Sequence, residues 1–306
     1  MPFSTVLLAA QQERSCKVVY LTTDNASNMK IAAQTAGIPI HLGCFAHTLN
    51  LASGCALDVK EVHSLLAKIR SIVSFMHRST TAAALLTKKQ SKLQLPANKL
   101  IIDIHTSWNS SYLIVERFLK QQVAIIATLT DETIKKQREA KSVQAGILGQ
   151  HEIQHCEQFL KLMEPMYQAT IALSADQSPT VGLIVPLLPK LKSVYSEHTE
   201  DNTFQEKIRA PILQDLDKRY RNEDLIKFLE EATALDPRIK DKAPDAAWDR
   251  FTDKLVSILT QTYVEVKVDP VTSTSSEHET STLPVVPDLL RATAADVKQE
   301  SPSPAK

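Results

Sequence analysis

The sequence predicts a mainly α-helical protein with a small strand-containing unit near its N-terminus. Three observations carry that reading. Glycine is scarce, 6 among 306 residues, while Leu, Ala, Lys and Glu recur, and those four favour helices. Beyond residue 58 the apolar residues fall at helical spacing. Strand signal is confined to a few short places near the N-terminal third.

The elements follow in order. Residues 1–16 read as an N-terminal extension. Lys17–Thr23 (KVVYLTT) is a β-branched and aromatic run ending in the turn-prone pair Asp24-Asn25. Ile38–Phe45 (IPIHLGCF) is a second run, and residues 25–36 between them suit one short helix. Together these make a compact βαβ-like unit, which falls in a first domain over residues 17–57. Leu100–Ile104 is a weaker strand candidate.

From Asp58 the residues Val62, Leu65, Leu66, Ile69, Ile72, Val73 and Met76 draw one apolar stripe of a helix. Asp58 with Glu61 reads as a capping box at its start. A second helix starts near Asn109. Others are expected over about 150–174, 180–198, 203–230 and 245–265, so residues 58–265 read as an all-helical domain. Pro186 and Pro189 should kink or break the helix over 180–198. The last 41 residues, 266–306, hold five Pro and eleven Ser or Thr. Such a segment buries too little apolar surface to offset its ordering entropy, so it reads as a disordered tail.

Composition excludes several classes. Lys+Arg and Asp+Glu are 35 each, so net charge is zero and gives no global footprint for nucleic acid. Apolar residues at 43% and charged residues at 23% are those of a globular chain. No apolar run reaches the ~18 residues of a membrane span. The start lacks the basic region of a signal peptide. Cys16, Cys44, Cys55 and Cys156 are too scattered for a disulfide framework and fit the cytosol or nucleus.

Four segments look like chemistry. Asp24, at the end of a strand in TTDNASNMKIAA, is placed as a Mg²⁺ ligand is placed in two-metal phosphodiester chemistry. The plain alternative is that Asp24 caps the next helix. Cys44-x-x-His47 has half of a zinc-site spacing, with Cys55 and His63 downstream. Its alternative is a packed Cys and a hydrogen-bonded His. Trp108-Asn109-Ser110-Ser111-Tyr112 suits a helix start with an aromatic anchor. Asp236-Pro237 ends a helix and opens a turn.

Taken together, in order and over about 22–240, these segments resemble the transposase-derived proteins of the hAT superfamily. The likeness is greatest to the domesticated branch that carries BED-type zinc fingers. Asp24-Asn25-Ala26-x-Asn28-Met29 resembles the family's second-aspartate motif. Cys44-x-x-His47-x-Leu49-Asn50-Leu51 resembles its C-x-x-H motif, and Trp108 with Asn109 resembles its Trp motif. Ala232-Thr233-Ala234-Leu235-Asp236-Pro237-Arg238 resembles a motif deep in the helical insertion, and Ser178-Pro179-Thr180 with Ile184-Val185-Pro186 also fits.

The resemblance implies a fragment of an RNase H-like α/β core, here two strands, followed by a large all-helical insertion. It implies an ancestral DNA cleavage and strand transfer by two Asp and one Glu with two Mg²⁺, Asp24 being the second carboxylate. The first is expected upstream of residue 1 and the third after the insertion. On that expectation the BED finger and the C-terminal dimerisation segment also fall outside the chain, which leaves Asp24 without its partners. Where the family usually has Arg before the Trp, this chain has Ser107.

On these grounds the chain reads as an inactive, domesticated transposase fragment. It would act in the nucleus, with the cytoplasm as a further location, as an interaction factor in transcriptional regulation. Protein partners are expected, a homo-oligomer is allowed, DNA contact is weak or indirect, and no cofactor or membrane is called for. The competing hypothesis is an active metal-dependent nuclease or transposase that uses Mg²⁺ at Asp24, with Asp103 as the only other acid to test. His151-Glu152-Ile153-Gln154-His155 matches the zinc-protease pattern but lacks a third ligand at the usual spacings. Lys88-Lys89-Gln90-Ser91-Lys92 is the best local candidate for DNA contact or a localisation signal, its plain alternative being a solvated helix face. Lys298, in Val297-Lys298-Gln299-Glu300, fits a SUMO-attachment pattern, with Ser303-Pro304 as a phosphorylation site beside it.

Overall fold

The computed structural model describes residues 20–38, 40–104, 107–174, 180–196 and 203–266, with side chains described as far as residue 260. Lys17 to Val19, His105, Ser178, Pro179, the tail, Lys298 and Ser303 lie outside the described residues.

Strand β1 (Tyr20–Thr23) pairs in parallel with β2 (Ile40–Gly43), Tyr20 opposite Ile40 and Thr23 opposite Gly43. Parallel neighbours need a crossover, and helix α1 (Ser27–Thr35) supplies it. The second strand stops short of the run Ile38–Phe45. Cys44 leaves the sheet with its N–H on the Thr23 carbonyl at 2.7 Å, and it is the N-cap of α2 (Phe45–Leu57).

The remaining elements are helical: α3 (Lys60–Arg78), α4 (Thr80–Lys92), α5 (Trp108–Leu129), α6 (Glu132–Lys135), α7 (Arg138–Ala145), α8 (Gln150–Leu173), α9 (Ile184–Ser196), α10 (Thr203–Asp217), α11 (Glu223–Leu235) and α12 (Asp245–Val266). The expected mainly α fold is therefore the observed one. The apolar stripe of α3 is buried as its spacing requires, facing α4, α5 and α7. Helix α5 packs on α4 and α8, and α2 packs on α10 and α8. Leu49, Leu66, Ile69, Phe118 and Phe159 are fully buried at these crossings. Each such side chain contributes roughly 1.5–3 kcal/mol of burial. Through α2 the two-stranded unit is joined to the helical body.

Several sequence expectations are corrected. Asp58 and Glu61 form no capping box: α2 runs to Leu57, so Asp58 is its C-cap, while α3 is capped at Val59 without a side-chain bond. Glu61 instead pairs with Lys207 on α10. Leu100–Ile104 is irregular rather than a strand, because among the described residues no strand lies beside it to complete a ladder. The helix over 180–198 begins at Ile184, after a 3-10 turn at Val181–Leu183. Pro186 then falls in its first turn, where no N–H partner is needed, and the helix continues through Pro189.

The helix over 203–230 is two helices, α10 and α11. They are separated at residues 218–222, where Tyr220 takes a left-handed conformation (φ 55°). Helices α4, α6 and α7 have no counterpart in the periodicity reading. Ser79 caps α4, Asp131 caps α6 and Asn222 caps α11, each by accepting a backbone N–H. Residues up to Leu255 form one compact unit, and a second starts at Val256 within α12. No described helix is long and apolar enough to cross a membrane.

Candidate functional site

The carboxyl ends of β1 and β2 bring the first two motifs together. Asp24 is exposed just beyond β1. Its Oδ1 accepts the Ala26 N–H at 3.3 Å. This is an Asx-type turn, and the N-cap of α1 is Ala26 itself, so Asp24 shapes the turn instead of capping the helix. Asn28 is also exposed, its Oδ1 on the Met29 N–H at 2.9 Å.

Asn25 turns the other way. Its Nδ2 donates to Thr48 Oγ1 at 3.0 Å and to the Cys44 carbonyl at 3.4 Å. The Asn25 amide lies over Gly43 so closely that a Cβ at position 43 would stand 2.0 Å from its Oδ1. Glycine at 43 is thus what gives the Asn25 amide room to cross from β1 to β2. Tyr220 reaches the same place from the break between α10 and α11. Its hydroxyl donates to the Gly43 carbonyl at 3.2 Å and stands 3.4 Å from Thr48 Oγ1. Its ring meets Phe45 edge-on at 5.7 Å. Burial pushes the Tyr220 phenol up to about 12. On β2, His41 Nε2 lies 2.7 Å from Thr23 Oγ1. Burial, with Lys30 nearby, holds this imidazole below its ordinary value.

The C-x-x-H motif spans the start of α2. Cys44 and His47 are both half-buried. Cys55 Sγ donates to the Leu51 carbonyl at 3.5 Å, one turn back in its own helix, and His63 is exposed on α3. Among the described residues no group of three His, Cys, Asp or Glu is placed to hold a metal ion.

The Trp motif anchors α5. Trp108 is buried, edge-on to Tyr112 and Tyr167, and those two rings stack at 4.5 Å. The Tyr112 hydroxyl donates to Glu164 on α8. Half-buried Asn109 follows in the first turn. Ser110 Oγ accepts the Ile104 N–H at 2.8 Å and bonds the Ser107 carbonyl at 2.6 Å. Ser111 is more telling. Its hydroxyl donates to Asp103 at 3.2 Å, and Arg70 of α3 donates to the same carboxylate through Nε at 2.8 Å and Nη2 at 2.5 Å. Asp103 is thus engaged by a half-buried cation and a buried hydroxyl.

The last two motifs lock to each other. Thr233 Oγ1 donates to the Gly182 carbonyl at 2.8 Å. A Cβ on Gly182 would stand 2.9 Å from the Ala232 carbonyl oxygen. Asp236 is the C-cap of α11 and is buried. It accepts from the Arg238 backbone at 3.0 Å and from Arg238 Nε and Nη2 at 2.9 and 2.6 Å, which holds its carboxyl below the usual range. Pro237 follows it, exposed, in the turn.

The zinc-protease pattern resolves into packing. His151 and His155 lie on one face of α8, and the His155 ring stacks flat on Phe204 at 3.9 Å. Glu152 accepts from Lys68 at 2.6 Å and from the Gly149 N–H at 3.1 Å, which occupies the would-be general base. In the basic stretch, Lys89 pairs with Asp131 and Gln90 is buried against Gln121 and the Asn98 carbonyl. Sequence reasoning missed Thr48, Tyr220, Arg70 and Ser111 as partners of the motif residues. Nothing local marks them, since Thr48 and Tyr220 are 172 positions apart.

Residues 42–146 match the family model of the ZBED1 RNase-like helical domain. The chain is 27% identical over 250 residues to rice (Oryza sativa subsp. japonica) zinc finger BED domain-containing protein RICESLEEPER 1. That alignment covers 80% of this chain and 32% of the relative. It is 26% identical over 229 residues to human zinc finger BED domain-containing protein 4, covering 71% of this chain and 18% of that protein. The chain thus spans a third or less of the length of these relatives.

Proposed function

We propose that this ZBED-type, hAT-derived chain is a non-catalytic interaction factor that acts in the nucleus in transcriptional regulation, through protein partners and DNA. The observation that carries this reading is how the motif side chains are used. Asn25, Trp108 and Ser111 each face inward onto a partner from another element or segment, Thr233 ties α11 to Gly182, and Asp236 is spent on the turn that ends α11. Motifs spent on packing suit a scaffold whose surface is the working part.

The second reading, a metal-dependent nuclease, is favoured by one observation. Asp24 is exposed at the carboxyl end of a parallel strand, where open α/β sheets bind ligands. Incubation of the chain with labelled DNA and Mg²⁺ or Mn²⁺ separates the two. The expected result is intact DNA. Metal-dependent cleavage that disappears in Asp24→Ala would replace the first reading by the second.

A further inference from the structure

The zero net charge conceals a strong segregation. Residues 60–147 hold fourteen Lys or Arg against six Asp or Glu, an excess of eight positive charges balanced by the rest of the chain. Within that stretch, residues 79–102 contain four lysines and no acid. The fold gathers part of this charge at one end of α5. Lys89 of α4 meets Asp131, the N-cap of α6, at 2.9 Å. Gln144 of α7 donates to the Leu129 carbonyl at the end of α5, at 2.7 Å. The first bond sets the C-terminal half of α4 beside the start of α6, and the second sets α7 at the end of α5, where it packs on α6.

We infer that the α4–α6–α7 end of the bundle is a docking surface for the phosphate backbone of double-helical nucleic acid. Lys88, Lys92, Lys136, Arg138 and Lys141 are all exposed there, and none has a carboxylate partner among the described residues. Their neighbours Thr87, Ser91, Thr133 and Ser142 are exposed hydroxyls, which bond phosphate oxygens. The apolar residues of the same segments, Leu86, Ile134, Ala140 and Val143, are buried. Protein interfaces are enriched in aromatic residues and depleted of lysine at their centre, and this surface is the reverse. Single strands call for aromatic platforms under unpaired bases, and no aromatic residue occurs in 86–92 or 131–145. The exposed acids there are Glu132, which pairs with Lys135, and Glu139, so the five cations stay in excess. What remains is a charge match to a regular polyphosphate, which binds independently of base sequence.

The surface is remote from the motif residues at the other end of α5. The 22 residues of that helix span about 30 Å at 1.5 Å per residue. The inference sharpens the DNA half of the proposed function and rests on it. It is indifferent to whether Asp24 has catalytic chemistry.

The test is fluorescence anisotropy of the full chain with a labelled duplex, titrated at several salt concentrations. A variant carrying Lys88→Gln, Lys92→Gln, Lys136→Gln and Lys141→Gln is compared with one carrying Lys161→Gln, Lys190→Gln, Lys227→Gln and Lys240→Gln. Circular dichroism and melting confirm that both fold. The expected result is duplex binding whose logarithmic salt slope falls by about 3–4 in the first variant, close to one for each lysine taken from a phosphate. Affinity at low salt falls at least about tenfold with it, and the second variant binds as the parent does. If the parent fails to bind any duplex, the DNA half of the proposed function falls with the inference. If it binds and both variants weaken equally, only the placement of the surface is overturned. Preference for single strands, or displacement of the duplex by polyglutamate at equal charge, would also overturn it, the latter in favour of an acidic protein partner.

Discussion

Arg70→Met is the substitution that weighs most heavily on the Trp motif. The Asp103 side chain is only 3% exposed and Arg70 is 23% exposed. The guanidinium gives the carboxylate two bonds, at 2.8 and 2.5 Å, and Ser111 gives one at 3.2 Å. Methionine fills most of the arginine's volume, so packing changes little, but it takes the guanidinium away from a buried carboxylate. Breaking a buried pair in this way costs about 3–5 kcal/mol. The partial exposure of Arg70 places this case near the lower end, about 3 kcal/mol. In a domain of this size that lowers the melting temperature by about 6–12 °C. Arg70→Lys keeps the charge and loses the fork, so it should fall between the two. Urea unfolding followed by circular dichroism measures both variants. A stability within about 0.5 kcal/mol of the parent for Arg70→Met would refute the claim that this pair fixes the segment before α5.

Three further outcomes are expected. Tyr220→Phe removes the hydroxyl from Gly43 and Thr48 and should cost about 1–2 kcal/mol in the same unfolding assay. The Tyr220 phenol is raised in the folded state, so its contribution is full below pH 10 and is lost as pH rises toward about 12. Tyrosinate absorbance should show one late-titrating group fewer in Tyr220→Phe, since burial holds Tyr112 and Tyr195 up as well. Gly182→Ala drives a Cβ against the Ala232 carbonyl and should destabilise by about 1–3 kcal/mol, seen as a lower denaturation midpoint. Cys156 is buried, which pushes its thiol up to about 12. Peptide mass mapping after alkylation at pH 8 should find it protected relative to half-buried Cys44.

The sequence made some of this legible because the signal was local. The stripe from Val62 to Met76 became the buried face of α3, since helical spacing alone decides which side faces the core. The turn after β1 and the end of α11 were likewise written in Asp24-Asn25 and Asp236-Pro237. Other features depended on what lay elsewhere. Asp58 failed as a cap because α2 continues up to it. Leu100–Ile104 has strand composition, but a strand also needs a neighbour. The break between α10 and α11 carries neither Gly nor Pro. It sits at Tyr220, whose left-handed backbone accompanies ring and hydroxyl contacts to Phe45 and Gly43. The overall charge also misled, because a zero sum says nothing of how charge is distributed along the fold.

The central claim is that Asp24 shapes a turn and does not form part of a metal site. Calorimetric titration of the full chain with Mn²⁺, for the parent and for Asp24→Ala, tests it most directly. Two indistinguishable titrations without a stoichiometric site at residue 24 are expected. A saturable site in the parent that is lost in Asp24→Ala would contradict the claim.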